Sequence, residues 1–414
     1  MAICGKLKFP GDKSISHRAL MLAALADGTS EITNLSTGVD VETTKKCLEN
    51  CGITFINVGT SVKIEGGSLQ SPVDELDCGN SGTTARLLMG LLAGQKTAAK
   101  FIGDGSLSER PMKRVIDPLE KMGATINSIE NHLPLSLSIE NLTGIRYELP
   151  VASAQVKSAI LLAGLGADTP TTVIEPIPTR NHTENMLSKL GAEINTHENT
   201  ITVYPLINRL NPFKTTIPGD PSTAAFFAAA AAMISQSDLM LEGISTNPTR
   251  SGFYTALKQM GGKVEILNQL SEQGESRGDI CIVSNPLNGI NIAKDMVPGL
   301  IDELPILAIL ASQAEGVTEV TGAKELRFKE CDRIHAICMN LGKMGANITE
   351  LEDGFVIEGP TKLRGGYVRT FNDHRIAMAF TIAGLVADGD VTLDNQHCVD
   401  ISFPQFYEWL KIVR

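Results

Sequence analysis

The most regular feature of the sequence is a helix-length segment with apolar residues on almost every side. Its first copy follows a polar turn and occupies residues 19–26, and Asp27 and Gly28 then lead into an alternating segment that ends at Leu35. A helix without a polar face is buried, whereas strict alternation predicts a strand with one exposed face. The pattern therefore predicts a core helix followed by a half-exposed strand.

The same pattern returns five more times, at intervals of about 70 residues. The later copies begin at Gly79, Ser153, Gly219, Ile301 and Asn372. Between them lie amphipathic helices that end in glycine, at Gly52, Gly123, Gly191, Gly261 and Gly345, each followed by two short strands. Glycine ends a helix readily because it accepts the left-handed conformation. Each complete repeat is therefore predicted to be a βαβαββ-like unit.

The sixth repeat is incomplete, since the sequence after Asn395 predicts only one helix, at residues 403–413. We expect the N-terminal strand, residues 3–9, to supply the missing strand. Six repeats then form two lobes of three, residues 11–217 and residues 1–10 plus 218–414, with Pro-Gly bends at both crossovers. The predicted fold is a two-lobe, inside-out α/β fold, with six repeats in two pseudo-threefold lobes and the apolar helices inside.

Composition limits the classes of partner. The chain has 414 residues, of which 43% are hydrophobic and 20% charged, as in ordinary globular proteins. A net charge of −11 argues against a protein that coats nucleic acid. The eight cysteines form no CxxC pair, so we expect reduced thiols and no metal. Because the sequence shows neither a signal peptide nor a membrane-length apolar run, we expect a soluble, cytoplasmic monomer with no membrane partner.

Polar side chains are concentrated at the starts of the apolar helices. They are Lys13, Ser14 and Arg18; Asn80, Ser81 and Thr83; Ser153, Gln155 and Lys157; Asp302 and Glu303; and Asp373, His374 and Arg375. Helix starts bind anions through unpaired N–H groups, and parallel helices would bring these starts to one face of each lobe. Serine, asparagine and aspartate are also ordinary caps, but lysine and arginine are electrostatically unfavourable there. The pattern favours a cleft for a small polyanion.

Two further segments carry basic residues. Residues 106–114 place Arg110 before a proline, and residues 326–333 contain Arg327, Lys329, Glu330, Asp332 and Arg333. The second segment could be an ordinary solvated charge run. A run of both signs that opens a helix can also hold an anion beside a general acid or base.

The motifs GDKSISHRA, GNSGTTARLL, ERPMKR, SAQVKSAILLAG, RNHTE, IDELPILA, ELRFKECDRI and NDHRIAMAF together resemble those of the 5-enolpyruvylshikimate-3-phosphate synthases. The resemblance covers essentially the whole chain. It implies the inside-out fold and transfer of the enolpyruvyl group of phosphoenolpyruvate to shikimate 3-phosphate, with release of phosphate and without a cofactor. SAQVK and RNHTE resemble the subgroup that often tolerates the inhibitor glyphosate.

Carried over by position, the resemblance implies shikimate 3-phosphate ligands at Lys13, Ser14, Arg18, Ser153, Ala154, Gln155, Arg180, Asp302 and Lys329. It implies phosphoenolpyruvate ligands at Lys13, Asn80, Gly82, Arg110, Gln155, Arg333 and Arg375, and catalytic roles for Lys13, Asp302, Glu330 and His374. The attacking hydroxyl needs a base, for which we expect Asp302. The methylene carbon must gain a proton, from Glu330 or Lys13.

Two positions depart from the family pattern. Ile401 stands where many relatives carry a lysine, which puts one phosphoenolpyruvate contact in doubt. Glu325 stands where many carry asparagine, which puts one hydrogen bond to shikimate in doubt.

The sequence leaves two alternative functions to consider. The related enolpyruvyl transferase that acts on UDP-N-acetylglucosamine typically has a reactive cysteine in the loop matching residues 104–114, and this loop has none. A non-catalytic repeat protein that only binds would not need basic groups and paired carboxylates at its helix starts.

Overall fold

The structure is a computed structural model and describes residues 2–414. Two compact units can be distinguished. The N-terminal unit comprises Gly11–Ile217 and Ser271–Glu275, and the C-terminal unit comprises the described chain up to Pro10, Pro218–Leu270 and Ser276–Arg414.

The first strand, β1 (Cys4–Lys8), precedes the N-terminal unit. The helices of the N-terminal unit are α1 (Lys13–Leu25), α2 (Val39–Asn50), α3 (Gly82–Gly94), α4 (Gly105–Ser108), α5 (Lys113–Lys121), α6 (Ala154–Gly164) and α7 (His182–Lys189). Its strands are β2 (Thr29–Thr33), β3 (Thr54–Val58), β4 (Ser61–Glu65), β5 (Leu76–Asp77), β6 (Ala99–Ile102), β7 (Ala124–Ile129), β8 (His132–Ile139), β9 (Arg146–Glu148), β10 (Thr171–Ile174), β11 (Ile194–His197), β12 (Thr200–Val203) and β13 (Lys214–Thr216).

In the second half of the chain the helices are α8 (Pro221–Met233), α9 (Gly252–Gln259), α10 (Leu304–Gln313), α11 (Arg333–Lys343), α12 (His374–Ala383) and α13 (Phe406–Ile412). The strands are β14 (Asp238–Ser245), β15 (Lys263–Glu272), β16 (Glu275–Val283), β17 (Asn291–Ile292), β18 (Gly316–Val320), β19 (Asn347–Leu351), β20 (Gly354–Gly359), β21 (Arg364–Val368) and β22 (Asp388–Leu393). Short 3-10 turns occur at Val297–Gly299, Ile301–Glu303, Lys324–Phe328 and His397–Ile401.

The core of the N-terminal unit is formed by the apolar helices α1, α3 and α6. Their side chains are buried on nearly every face, whereas strands such as β2 alternate between buried and more exposed positions. The backbones of α3 and α6 approach so closely that a Cβ at Gly90 would overlap the backbone of Ala159. The predicted arrangement of buried helices and half-exposed strands is confirmed in this unit.

Three four-stranded sheets surround this core, in the orders β13-β2-β4-β3, β5-β6-β8-β7 and β11-β12-β10-β9. Each contains one parallel pair, and the remaining neighbours are antiparallel. The helices that precede the hairpins end at the predicted glycines. Gly52, for example, has a φ of +87°, a conformation that favours glycine.

The C-terminal unit repeats this plan around α8, α10 and α12, which pack against one another. Residues 224–232 within α8 are completely buried, as their uninterrupted apolar sequence predicts. The sheets have the orders β1-β14-β16-β15, β17-β18-β20-β19 and β21-β22. Within residues 2–414, no helix combines the length and the apolar character required to cross a membrane.

The prediction that the N-terminal strand completes the sixth repeat is wrong. β1 pairs in parallel with β14, in register from Cys4 and Asp238 to Lys8 and Glu242, and so belongs to the sheet of the fourth repeat. The sheet of the sixth repeat contains only β21 and β22. The reason is topological. In most other repeats, the strand that pairs in parallel comes from the end of the preceding repeat. β13, at the end of the third repeat, pairs instead with β2 of the first repeat. The position beside β14 in the fourth repeat is therefore taken by β1.

Phe9 anchors the N-terminal segment in the aromatic core of the C-terminal unit. Its ring centroid lies 5.3 Å from that of Phe227, 6.0 Å from that of Phe403 and 5.1 Å from that of Trp409. The side chain is 1% exposed. Edge-to-face aromatic contacts of this kind add to the stabilisation from apolar burial.

We expect Phe9→Ala to lower the free energy of unfolding by about 3–5 kcal/mol, because it leaves a cavity among three aromatic rings. Phe328→Ala is the matched control, since the Phe328 side chain is 57% exposed. Chemical denaturation of both variants measures the difference. Equal stability of the two would show that the N-terminal segment contributes little to this core.

Candidate active site

The start of α1 carries two of the predicted ligands, and both have partners within the N-terminal unit. Lys13 is the first residue of the helix, and its Nζ lies 3.0 Å from Oδ2 of Asp40. The Oγ of Ser14 accepts a hydrogen bond of 3.3 Å from Nη1 of Arg180. The Lys13 side chain remains 20% exposed. Asp40 therefore holds the ammonium group at a helix start that is otherwise unfavourable for a cation, without burying it.

Arg18 follows one turn later in α1 and is only 3% exposed. Its Nε donates to Oγ1 of Thr183 and its Nη2 to Oγ of Ser158, both at 2.7 Å, while Nη1 donates to the backbone oxygen of Ser14 at 2.9 Å. Burial lowers the pKa of the Arg18 guanidinium to about 10, and the charge of Glu184 opposes this shift. Arg18 is therefore a charged and firmly oriented group at neutral pH.

Gln155 joins the first turns of α6 and α3. Its Nε2 donates to Oγ1 of Thr83 at 2.9 Å, and its Oε1 accepts from Nη1 of Arg86 at 2.8 Å. Gly82, the first residue of α3, lies so close to the same arginine that a Cβ there would be 2.5 Å from Nη1 of Arg86. The side chain of Gln155 is thus oriented from both sides.

Ser153 and Ala154 form the start of α6. Ser153 is the N-cap, and its Oγ accepts a hydrogen bond of 3.5 Å from the backbone N–H of Val156. Ala154 is the first helical residue. Backbone N–H groups in this turn lack acceptors within the helix, which suits them to binding an anion.

Asn80 and Arg110 are also brought together in the N-terminal unit. The Nη2 of Arg110 donates to Oδ1 of Asn80 at 2.7 Å, and Nδ2 of Asn80 donates to Oδ2 of Asp104 at 2.8 Å. Asp104 in turn caps α4. Arg110, in the loop after α4, is therefore held beside the start of α3.

In the C-terminal unit, Arg333 lies among three carboxylates and is 1% exposed. Its Nε lies 2.7 Å from Oδ2 of Asp373, its Nη2 lies 2.6 Å from Oε2 of Glu330, and its Nη1 lies 3.4 Å from Oδ1 of Asp302. Burial alone would lower the pKa of Arg333, but the charges of these carboxylates raise it above its ordinary value. The cluster fixes the guanidinium in place.

Asp302 lies near three basic side chains. Besides Arg333, Nζ of Lys329 lies 4.0 Å from its Oδ1 and Nη2 of Arg375 lies 3.7 Å from its Oδ2. The backbone oxygen of Asp302 also accepts a hydrogen bond of 3.3 Å from Nη1 of Arg375. A carboxylate in this position can accept a hydrogen bond from a hydroxyl group held beside the same basic side chains, as a general base must.

Asp373 has two structural roles in this cluster. Besides pairing with Arg333, it caps α12 by accepting hydrogen bonds from the backbone N–H groups of Arg375 and Ile376. His374, the first residue of that helix, is 1% exposed, so its ring lies in the interior of the C-terminal unit.

The mixed charge run at residues 326–333 has two functions. Arg327 pairs with Asp332 at 2.7 Å and with Glu350 at 2.9 Å, and Asp332 caps α11. These charges stabilise the helix start. Lys329 and Glu330, in contrast, belong to the cluster around Asp302 and Arg333 described above. The solvated-charge interpretation therefore fits one part of the segment only.

Several residues that orient the predicted ligands were not singled out by the sequence. They are Asp40, which pairs with Lys13; Arg86, which holds Gln155; and Ser158 and Thr183, which orient Arg18. Arg86 does give a signal, as a charged residue in an otherwise apolar helix. Asp40, Ser158 and Thr183 give no such signal, because each lies on a different helix from the ligand that it orients.

All eight cysteines are free thiols. Burial raises the pKa of Cys51 and of Cys338 to about 12. Among the residues that the structure describes, no group of histidine, cysteine and carboxylate side chains is suited to holding a metal ion.

Comparison with known proteins identifies the family. The family model for EPSP synthase (3-phosphoshikimate 1-carboxyvinyltransferase) matches residues 1–410. The chain belongs to the EPSP synthase family. EPSP synthase is the short name of the 5-enolpyruvylshikimate-3-phosphate synthases, so the resemblance inferred from the motifs is confirmed.

Two EPSP synthase relatives illustrate the match. A 3-phosphoshikimate 1-carboxyvinyltransferase of Thermoanaerobacter sp. (strain X514) is 46% identical over 407 residues, covering 98% of this chain and 96% of the relative. One from Oceanobacillus iheyensis is 47% identical over 414 residues, covering 99% and 96%.

Solved structures also match along the full length of the chain. The EPSP synthase of Acinetobacter baumannii has a TM-score of 0.89 and 43% identity, covering 100% of this chain and 96% of that one. The enolpyruvyl transferase NikO from Streptomyces tendae has a TM-score of 0.80 at 18% identity, with coverage of 100% and 95%. This second similarity shows the shared fold. The predicted fold class is confirmed by both.

We expect Asp373→Asn to lower the free energy of unfolding by about 3 kcal/mol, because it removes a charged partner of buried Arg333. Asparagine is also a good N-cap, so the loss would report the ion pair and not the cap. The control is Asp388→Asn, since Asp388 pairs with Lys362 while 70% exposed and should matter little. Thermal and urea unfolding of both variants test this EPSP synthase feature, and similar small losses would contradict it.

Proposed function

We propose that the protein catalyses transfer of the enolpyruvyl group of phosphoenolpyruvate to the 5-hydroxyl of shikimate 3-phosphate, with release of phosphate. The observation that carries this proposal is the identity of 46–47% over nearly the whole chain to relatives named 3-phosphoshikimate 1-carboxyvinyltransferase. The basic groups held at helix starts support it, since both substrates are polyanions.

For shikimate 3-phosphate, we propose three sets of contacts. Lys13, Ser14 and Arg18 bind the carboxylate end, with Lys13 also reaching phosphoenolpyruvate. Ser153, the N–H of Ala154 and Arg180 bind the phosphate, and Gln155 lies over the ring. Asp302 and Lys329 bind the ring hydroxyls. Support comes from the hydrogen bond of Arg180 to Ser14, which links the first and second sets.

For phosphoenolpyruvate, the proposed ligands are Lys13, Asn80, Gly82, Arg110, Gln155, Arg333 and Arg375. Arginine guanidinium groups bind carboxylates and phosphates through paired N–H donors. The geometry around Asn80 supports this assignment, because the 2.7 Å hydrogen bond from Arg110 directs that guanidinium towards the start of α3.

The reaction has two stages. In the first, the 5-hydroxyl oxygen bonds to C2 of phosphoenolpyruvate, its proton passes to a base, and C3 gains a proton to become a methyl group. In the second, the C2–O bond to phosphate breaks and the methyl group loses a proton, which restores the double bond. Basic side chains stabilise the tetrahedral intermediate and the departing phosphate.

We assign the base to Asp302, a carboxylate that lies within 3.4–4.0 Å of the basic side chains of Arg333, Arg375 and Lys329, where the substrates would also be held. Glu330 and Lys13 are the candidates for donating the proton to C3. His374 is proposed as a nearby group that supports the phosphoenolpyruvate ligands, consistent with its place at the start of α12 beside Arg375.

Release of inorganic phosphate from phosphoenolpyruvate tests the proposal. Shikimate 3-phosphate should stimulate release, whereas UDP-N-acetylglucosamine should not. Stimulation by the nucleotide sugar alone would support the related transferase, and stimulation by neither would favour a protein that only binds.

Asp302→Ala should lower kcat by about 100-fold or more, the scale for loss of a positioned general base. Shikimate 3-phosphate affinity should fall much less. Asp295→Ala provides the control, because Asp295 is an exposed carboxylate in the same segment. Steady-state kinetics and calorimetric titration give the two quantities. An equal loss of affinity and turnover would make Asp302 a ligand only.

We further propose that glyphosate inhibits the protein and that Gly82→Ala raises its inhibition constant about 10-fold or more relative to the KM for phosphoenolpyruvate. An added methyl group obstructs the longer inhibitor first. It also lies 2.5 Å from Nη1 of Arg86, so that side chain must move and release Gln155.

Arg86→Ala separates the two effects of the glycine substitution, because it releases Gln155 without adding a methyl group. In the Arg86→Ala variant, the inhibition constant for glyphosate and the KM for phosphoenolpyruvate should change by similar factors. Equal changes for Gly82→Ala as well would show that Gly82 does not contact the inhibitor.

A further inference from the structure

Lys157 is a buried lysine in the first part of α6 that the reaction described above does not use. Its side chain is 1% exposed, and its position near a helix start is electrostatically unfavourable for a cation. A buried ammonium group is tolerated only where anions and hydrogen-bond acceptors surround it. Three oxygen atoms that Nζ of Lys157 contacts come from one short segment of the N-terminal unit.

That segment is the loop between β10 and α7, residues 175–181, together with the first turn of α7. Nζ of Lys157 lies 2.9 Å from Oε2 of Glu175, at the start of the loop, and 2.6 Å from Oε1 of Glu184, just beyond its end. It also lies 3.5 Å from the backbone oxygen of Thr179, in the middle. A single ammonium group therefore fastens the loop at three points.

The loop is tied to itself as well. The hydroxyl of Thr179 donates a short hydrogen bond to Oε1 of Glu175, the carboxylate whose other oxygen pairs with Lys157. Arg180 is the next residue. Its backbone is thereby fixed next to an anchored residue, while its side chain reaches Oγ of Ser14.

The adjoining residues connect the same loop to Arg18. Ser158 follows Lys157, Thr183 precedes Glu184, and both hydroxyl groups accept hydrogen bonds from Arg18. The two hydroxyls also share a hydrogen bond of 2.7 Å. Two buried basic residues thus hold α1, α6 and the loop together.

We propose that Lys157 is a positioning residue that sets Arg180 in place to bind the phosphate of shikimate 3-phosphate. The inference rests on the proposed function and adds a residue to it. Lys157 acts through the loop and makes no contact with substrate, so its largest effect is on the phosphate contact of Arg180. Ser14 and Arg18 touch the same segment, so the carboxylate contact of shikimate depends on Lys157 less strongly, and the hydroxyl contacts do not depend on it.

The test compares the dissociation constants of shikimate 3-phosphate and of shikimate, measured by calorimetric titration. Lys157→Met should weaken shikimate 3-phosphate binding about tenfold, a typical coupling for residues in one network, and should change shikimate binding less than twofold. Lys189→Met, which removes an exposed lysine from the same helix as Glu184, is the control and should change neither.

A double-mutant cycle with Arg180→Ala gives the decisive comparison. If Lys157 acts through Arg180, Lys157→Met should have no further effect on shikimate 3-phosphate affinity once Arg180 has been removed. A purely structural role would lower the affinities for both ligands alike and would add in full to the loss from Arg180→Ala. Either of these results would overturn the inference.

Removing Lys157 leaves two buried carboxylates, and the variant could unfold. Lys157→Met/Glu184→Gln removes one of them and serves as the second variant, with the same expected loss of phosphate selectivity. If wild type prefers shikimate 3-phosphate to shikimate and the folded variants show the same preference, this inference alone is overturned. A folded wild type with no preference for the phosphate would overturn the proposed function together with it.

Discussion

The central constraint on this fold is that its core helices are apolar on every side. Such a helix can present polar groups only at its ends, because any charge in its middle would be buried without water. In both units most of the chemistry-bearing residues accordingly lie at or near the first turns of α1, α3, α6 and α12 or in the loops beside them, and Arg333 begins the amphipathic helix α11. The same first turns offer unpaired N–H groups, so an anion site follows from the core itself.

Basic side chains at helix starts need compensation, and the structure supplies it with carboxylates from other elements. Asp40 compensates Lys13, and Glu175 and Glu184 compensate Lys157. Asp373 and Glu330 compensate Arg333. These pairs hold each cation in one place before substrate binds, which reduces the ordering that binding would otherwise require.

Local sequence patterns predicted the helices and the boundaries that depend on neighbouring residues. The absence of a polar face identified α8, and glycine after an amphipathic segment located the left-handed stop at Gly345. Pairings between distant segments were harder to predict. The sequence predicts the wrong repeat for the N-terminal strand, because no residue of that strand shows that β13 pairs with β2 of the first repeat.

The same limit applies to the candidate site. Motifs indicated Gln155 and Arg18, but not the residues that orient them, because Arg86 and Thr183 lie on other helices and gain meaning only through contact. The assigned ligand roles stay predictions, and the geometry supports them most directly around Arg180, where a basic side chain lies beside Ser14 within a fixed loop.

A crystal structure with shikimate 3-phosphate bound tests the central claim most directly, namely that compensated helix starts form the anion site. We predict that the phosphate lies within hydrogen-bond distance of Arg180, Ser153 and the N–H of Ala154, with the shikimate carboxylate near Ser14 and Arg18. A phosphate bound away from the start of α6 would contradict the account.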